Sequence, residues 1–201
     1  METPPTYAPP KKSNTGLIIG LVLGGIAICC IGGVALLGFF GFRFFKGTLE
    51  PVIVCMTNYE VVSKAMEDYA DAHNGNLPSA AAWQDELAPY VQKRLDGVSK
   101  EKMPFKLMKP EGDWTCSMGD KTTNMAFNSD LGGKALADAR KDDKIVIFEV
   151  EQTGRNVAQA YVEREKSSSP KMMGEHRGWV TIDGSGEVRM GGESMKNSGF
   201  H

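Results

Sequence analysis

His73, His176 and His201 are the chain's three histidines, and Cys29, Cys30, Cys55 and Cys116 are its four cysteines. A cysteine becomes a nucleophile when a histidine draws off its proton, so Cys55 or Cys116 with His176 is the pairing that could support covalent chemistry. No local signature surrounds either cysteine, and the chain holds no HExxH, GxSxG or GxxxxGK[ST]. His73 falls at the end of a helical pattern, where a cation suits the negative pole of the helix, and His201 is the last residue. We read the chain as non-catalytic, with an anchored Cys/His enzyme as the rival from another class.

Oxygen ligands for calcium could come from Asp183 with Glu187, or from Asp130 with Asn128. Calcium takes about six to eight oxygens in a compact loop, and neither pair extends to such a set. Asp183-Gly184-Ser185-Gly186 reads as hairpin turn chemistry, because Asp and Gly adopt the conformations tight turns need. No metal or cofactor is expected. Gly184, Gly186, Gly191 and Gly192 stand at a turn and in a tail rather than between a strand and a helix, which removes the nucleotide-binding reading. From residue 51 onward there are 19 basic and 23 acidic residues, a net charge of −4, with no basic stripe to suit a phosphate backbone. Nucleic acid is therefore not an expected partner.

The cysteines divide into two kinds. Cys29 and Cys30 lie inside an apolar run, where a thiol is a small apolar group. Cys55 and Cys116 form a disulfide in an oxidising compartment or stay as two buried thiols; sequence gives no separation with which to choose. The absence of a CxxC argues against a zinc ribbon or a thioredoxin-like centre.

Around these residues the elements are plain. Residues 16 to 42 are 27 consecutive residues without a charged or strongly polar side chain. About 20 suffice to cross a bilayer as a helix, and a secretory signal's apolar region runs to only about 15 residues before a small-x-small cleavage site. A transmembrane helix over 16–45 is expected, after a flexible Pro-rich tail at 1–15. Gly16, Gly20 and Gly24 recur along one face, a spacing that lets membrane helices associate.

A joint is expected at 43–51, where Gly47 and Pro51 should interrupt the helix. Val52, Cys55, Met56, Tyr59, Val62, Met66 and Tyr69 then recur at three- and four-residue steps, which predicts an amphipathic helix over 51–73. It ends where His73 to Pro78 stack stop signals. Ser79 should cap a second helix over 80–95, broken or kinked at Pro89, with Trp83, Leu87, Tyr90, Val91 and Leu95 facing inward.

Residues 96–123 read as loop, with Phe105, Leu107 and Trp114 as plugs into the core. Strands are predicted at 124–127, 144–150, 178–182 and 187–190, the last two flanking the Asp-Gly turn. Residues 157–163 are ambiguous between strand and helix, and 191–201 read as a loose C-terminal tail. Helices before strands suggest an α+β domain over 51–190, a long helix laid on an antiparallel sheet.

With that order established, several phrases resemble bacterial type IV pilin-like and type II secretion pseudopilin G-like proteins. They are CMTNYEVVSKAMEDYADAHNGNLP (55–78), WQDELAPYV (83–91), WTC (114–116), NMAFNSDLGGK (124–134), IVIFE (145–149) and GEHRGWVTIDG (174–184). The likeness is greatest to the group with a C-terminal His, nine residues, then Asp-Gly, and it covers roughly residues 51 to 190.

It implies a pilin-like domain with its N-terminal helix on an antiparallel sheet, held by a single-pass anchor in the inner (cytoplasmic) membrane. The C-terminal domain would lie outside the cytoplasm, in a structural or interaction role with itself or with other envelope and secretion proteins. The flanking charges, Lys11 and Lys12 against Arg43 and Lys46, tie under the positive-inside rule, so the orientation rests on the resemblance.

Three positions depart from the family pattern. Six residues separate His176 from Asp183, and Ser185 stands where the family has a His after Asp-Gly. If Gly16 ended a leader, the fifth residue of the mature chain would be Leu21 where pilins carry Glu. A processed, assembled pseudopilin-type subunit is the nearest alternative, and maturation separates it from our reading. Cleavage after Gly16 would leave Leu17 with a free amine that Leu21 cannot pair, a costly group inside a bilayer. We expect the cellular protein to retain residues 1–15 apart from Met1. Intact-mass measurement on the membrane-extracted protein checks this, and a terminus at Leu17 would favour the processed subunit.

Overall fold

A computed structural model describes residues 42–97, 107–191 and 193–194. The tail 1–15, the expected span as far as residue 41, the Gly16, Gly20, Gly24 face, Phe105 and His201 lie outside these. Among the described residues no helix is long and apolar enough to cross a membrane. The chain divides into two units, Met1–Phe44 and Phe45–His201, and the description below is of the second.

The joint expected at 43–51 coincides with an irregularity in the described chain. A π-helical turn, Phe45–Leu49, leads directly into helix α1, Glu50–Ala72. Pro51 is tolerated because it falls in the first turn of α1, where its missing N–H has no intrahelical acceptor. Helix α1 stops where expected: the N–H groups of His73 and Gly75 both close on the Ala70 carbonyl, with Asn74 and Gly75 at positive φ.

Helix α2 is Trp83–Gly97, not 80–95, and it continues through Pro89. Pro89 cannot bond the Asp85 carbonyl, but Asp85 is exposed, so water can satisfy that oxygen. Nor does Ser79 cap the helix. The Oδ1 of Asn156 accepts from the N–H groups of Gln84 and Asp85, at 2.8 and 3.3 Å. A cap 72 positions away in sequence has displaced the local one.

The strands follow as β1 (Thr115–Cys116), β2 (Thr123–Asn128), β3 (Ile145–Val150), β4 (Ala158–Gln159), the β5 and β6 pair (Lys171–Met172, Glu175–His176), β7 (Val180–Asp183), β8 (Val188–Met190) and β9 (Glu193–Ser194). A short helix α3, Leu136–Lys141, joins β2 to β3. Seven strands form one sheet in the order β1-β2-β3-β7-β8-β9, antiparallel throughout, with β4 added parallel to the far end of β2. The ambiguous 157–163 segment is thus a two-residue strand followed by irregular chain. The tail expected from 191 is not wholly loose, since β9 extends the sheet at β8.

Strand alternation decides what each face carries. Met125, Phe127, Ile147, Val180 and Ile182 project to one side and pack with Cys55, Tyr59, Val62 and Met66 of α1. Trp83, Leu87 and Val91 of α2 complete that core, with the Trp83 ring edge-on to Trp114 and stacked on Phe127. Ala126, Phe148 and Val150 project to the other face, where a second, smaller cluster forms with Val157. The domain is α+β, an N-terminal helix on an essentially antiparallel sheet.

Val62 is fully buried, whereas Lys64 is half exposed and paired with Glu60 at 2.6 Å. Val62→Asp places a carboxylate in the helix–sheet interface and should cost more than the about 2–5 kcal/mol of a large core truncation. At about 2–4 °C per kcal/mol for a domain of this size, the melting temperature should fall by 10 °C or so. Lys64→Asp should shift it by only about 1–2 °C. Thermal denaturation of both variants tests the packing, and equal melting temperatures would contradict it.

Candidate functional site

Cys55, one turn into α1, and Cys116, on β1, are joined by a disulfide with their Cα atoms 5.4 Å apart. Both residues are buried. The bond closes a 61-residue loop, which on the chain-entropy account restricts the unfolded state by about 4 kcal/mol. With the sulfurs bonded to each other, neither offers a thiolate for His176 to activate. His176 sits on β6 with its Nδ1 2.5 Å from the Ser169 carbonyl oxygen.

One turn beyond Cys55, Tyr59 is fully buried beside a charge pair that the sequence reading did not anticipate. Glu149 on β3 and Arg177 just before β7 form an ion pair with side chains 0% and 1% exposed. One Glu149 oxygen takes hydrogen bonds from the Thr123 hydroxyl and Arg177 Nη2. The other takes them from Arg177 Nη1 at 2.8 Å and from the Val180 N–H at 3.0 Å. The guanidinium also donates to the carbonyls of Met118 and Gly178, at 2.7 and 2.8 Å. Burial, then the neighbouring Glu149 charge, pushes the Tyr59 phenol well above its ordinary pKa, and Arg177 opposes this. Its hydroxyl finds no hydrogen-bond partner among the described residues.

The carboxylates considered for calcium have other occupations. Asp183 Oδ1 accepts from Ser185 N, Ser185 Oγ and Glu187 N, at 2.8, 2.6 and 3.1 Å. Arg189 Nη2 stands 2.8 Å from Asp183 Oδ2, a charge contact outside hydrogen-bond alignment. The turn lies so close to α3 that a Cβ at Gly184 would meet the Ala139 carbonyl carbon at 2.4 Å. Asn128 accepts from the Asp130 N–H and donates to the Ile145 carbonyl. Among the described residues no group of three or more His, Cys, Asp or Glu is placed to hold a metal.

His73 stacks on Tyr69 with ring centroids 3.8 Å apart, and Tyr90 meets both rings edge-on. Tyr69 donates to Glu86 at 2.6 Å, and the Ser79 N–H and hydroxyl donate to the same carboxylate. Burial alone would raise the Glu86 pKa, but the bonds from Ser79 and Tyr69 outweigh it and hold it below the ordinary value. Burial and then the bond to Glu86 push Tyr69 up to about 12. Glu86 therefore works as a fixed anion that ties the α1–α2 turn to α2.

Two further surface features stand among the described residues, the second on a hairpin whose Met172 packs against the main core. The first is a groove of about 440 Å³, floored by Ile145, Phe148 and Thr181 and walled by Tyr161, Arg164 and Trp179. Tyr161 sets its ring edge on Phe148 at 5.2 Å, and the Arg164 guanidinium lies 4.8 Å over Trp179. The second is the β5–β6 hairpin, whose two linking residues, Met173 and Gly174, are at φ 56° and 89°. A turn needing positive φ at both positions suits Asn-Gly; an L side chain there costs about 1–2 kcal/mol. Met173 is nevertheless 74% exposed, the highest of the exposed large apolar residues described.

No family model, curated protein or solved structure matches this chain. The pair Glu149–Arg177 did leave a signal, since IVIFEV carries one acid inside an otherwise apolar strand. A charge in a strand read as buried needs a partner, and RGWV offers the cation just ahead of the next strand. The structure brings Cys55 and Cys116 together but leaves His176 on a separate hairpin.

Removing one member of a buried pair leaves the other charge unpaired in the core, which typically costs about 3–5 kcal/mol. Arg177→Met should therefore destabilise by about that much, while Glu149→Leu together with Arg177→Met recovers most of the loss. Denaturant titration of the single and double variants measures both, and a single variant within about 1 kcal/mol of wild type would remove the pair from the stability argument.

Proposed function

We propose that this protein is a membrane-anchored, non-catalytic, pilin-like envelope protein whose domain folds and works outside the cytoplasm. The observation that carries the reading is the buried disulfide between Cys55 and Cys116. Disulfides form and persist in oxidising compartments and are rare where thiols are kept reduced. A domain stapled in this way suits the outer side of the membrane, on which the charges flanking the apolar run are silent. The run at 16–42 supplies an anchor long enough to span a bilayer, and the helix-on-sheet architecture is compatible with a pilin-like assignment.

The role follows from what the domain offers. Among the described residues, Cys55, Cys116, Glu149 and Asp183 serve the disulfide, a buried ion pair and a turn, while Met173 and Val162 are exposed at a hairpin tip and a groove rim. Holding and contacting other envelope components is the work such a surface can do. Type II secretion or type IV pilus-like assemblies are the setting that the sequence likeness suggests.

Protease added to intact spheroplasts should digest the part from residue 51 onward. Alkylation before and after reduction should reveal two additional reactive thiols, those of Cys55 and Cys116. A protected domain, or two thiols reactive without reductant in the protein as extracted, would overturn the topology.

A further inference from the structure

We infer that Cys55 and Cys116 are joined while the domain is still open, by thiol–disulfide exchange with a disulfide-bearing oxidant, and that folding then seals the bond from later exchange. The chain is thus the substrate of an oxidation that precedes closure of α1 on β1. The oxidant rests on the location proposed above, whereas the sealing rests on the fold.

The step runs through a mixed disulfide. One cysteine loses its proton, and its thiolate attacks a sulfur of the oxidant R–S–S–R, releasing RS⁻ and leaving the chain bonded to R. The second cysteine's thiolate attacks the chain sulfur of that mixed disulfide, closes Cys55–Cys116 and releases the second RS⁻. Two electrons pass from the chain to the oxidant, and the two protons given up by the cysteines end on two RSH. Reduction follows the same path backwards. A fold that cannot admit the mixed disulfide therefore blocks both directions.

Cys55 and Cys116 are each 2% exposed and share the main core with Tyr59, Val62, Trp114 and Met118, all wholly buried. A thiolate must reach a sulfur directly, and R must then be housed where core side chains stand. Interiors are packed too closely to take such a group without displacing them. Order matters for a second reason: apolar surroundings disfavour the thiolate on which exchange depends. A chain that closed with both thiols reduced would be as slow to oxidise as the bonded chain is to reduce.

The elements carrying the sulfurs are held by different interactions. Helix α1 is held on the sheet through Val62 and Met66 in the main core. Strand β1 pairs with β2, with Cys116 opposite Thr123. The Thr123 hydroxyl donates to Glu149, whose charge Arg177 meets. Freeing a sulfur means parting the helix from the sheet or opening the strands around the buried charge. Neither is a fraying motion, so exposure of the bond draws on the stability of the whole domain.

The test uses the full chain extracted from its membrane and kept folded in detergent. Reduced glutathione is added, free thiols are trapped with iodoacetamide, and Cys55 and Cys116 are read by peptide mass. The bond should open about a thousandfold or more slowly than in guanidinium chloride, because opening waits on unfolding. Val62→Ala should speed it about tenfold by weakening the core. Lys64→Asp, on the exposed face of the same helix, should leave it within about twofold. Urea below the unfolding transition gives the same comparison on the unsubstituted chain, and the rate should climb with the unfolding equilibrium measured by circular dichroism.

A wild-type bond that opens as fast folded as denatured, or at a rate indifferent to urea and to Val62→Ala, would overturn the sealing. The bonding state as extracted, read before glutathione is added, is a separate result. Two free thiols there overturn the proposed location, and glutathione disulfide then replaces glutathione, with the same rates read in the oxidising direction.

Discussion

Glu149 is the residue around which the rest of the domain is arranged. A carboxylate taken from water into a sheet core is strongly penalised unless every lone pair finds a donor. Here four donors from three parts of the chain converge on it: Thr123 on β2, the Val180 N–H on β7, and both terminal nitrogens of Arg177. Thr123 Oγ1 also stands 3.2 Å from the Cys116 carbonyl oxygen, so the same network reaches β1 and the disulfide. Arg177 extends it to Met118, while Ser169 accepts from the Gly178 N–H and pins the loop ahead of the hairpin. Satisfying one buried charge thus aligns β1, β2, β3 and β7 in register. A one-residue slip of any of these strands would leave the carboxylate short of donors as well as turning its apolar side chains outward.

Much of this architecture was legible where periodicity was long. Seven apolar positions over α1 and the mostly apolar IVIFEV run identified the principal helix and the central strand, since burial on one stripe or on both faces leaves a repeating mark. What escaped depended on residues far apart. The start of α2 was misplaced because its capping acceptor is Asn156, and no window around Ser79 contains that residue. The joint at 43–51 was legible because its causes are local: Gly47 lies in a π turn and Pro51 in the first turn of α1.

The site residues followed the same division. Asp183-Gly184 was readable as a turn because Asp and Gly act on their immediate neighbours, and the carboxylate accepts from residues two and four positions on. The pairing of Cys55 with Cys116 was open, since it depends on where α1 passes β1. The aromatic groove had no sequence signature at all. Phe148, Tyr161 and Trp179 come from three segments that share one side of the sheet only because β3 and β7 are neighbours.

The two faces of the sheet have different physical roles. The face toward α1 holds the main core, the disulfide and the buried ion pair, so it has little freedom to change shape. Among the described residues, the opposite face is covered by irregular chain after β4, with Tyr161 on Phe148 and Arg164 over Trp179. A region of few packed neighbours adjusts at low cost, whereas the hairpin carrying Met173 is braced through Asp120 and Pro170.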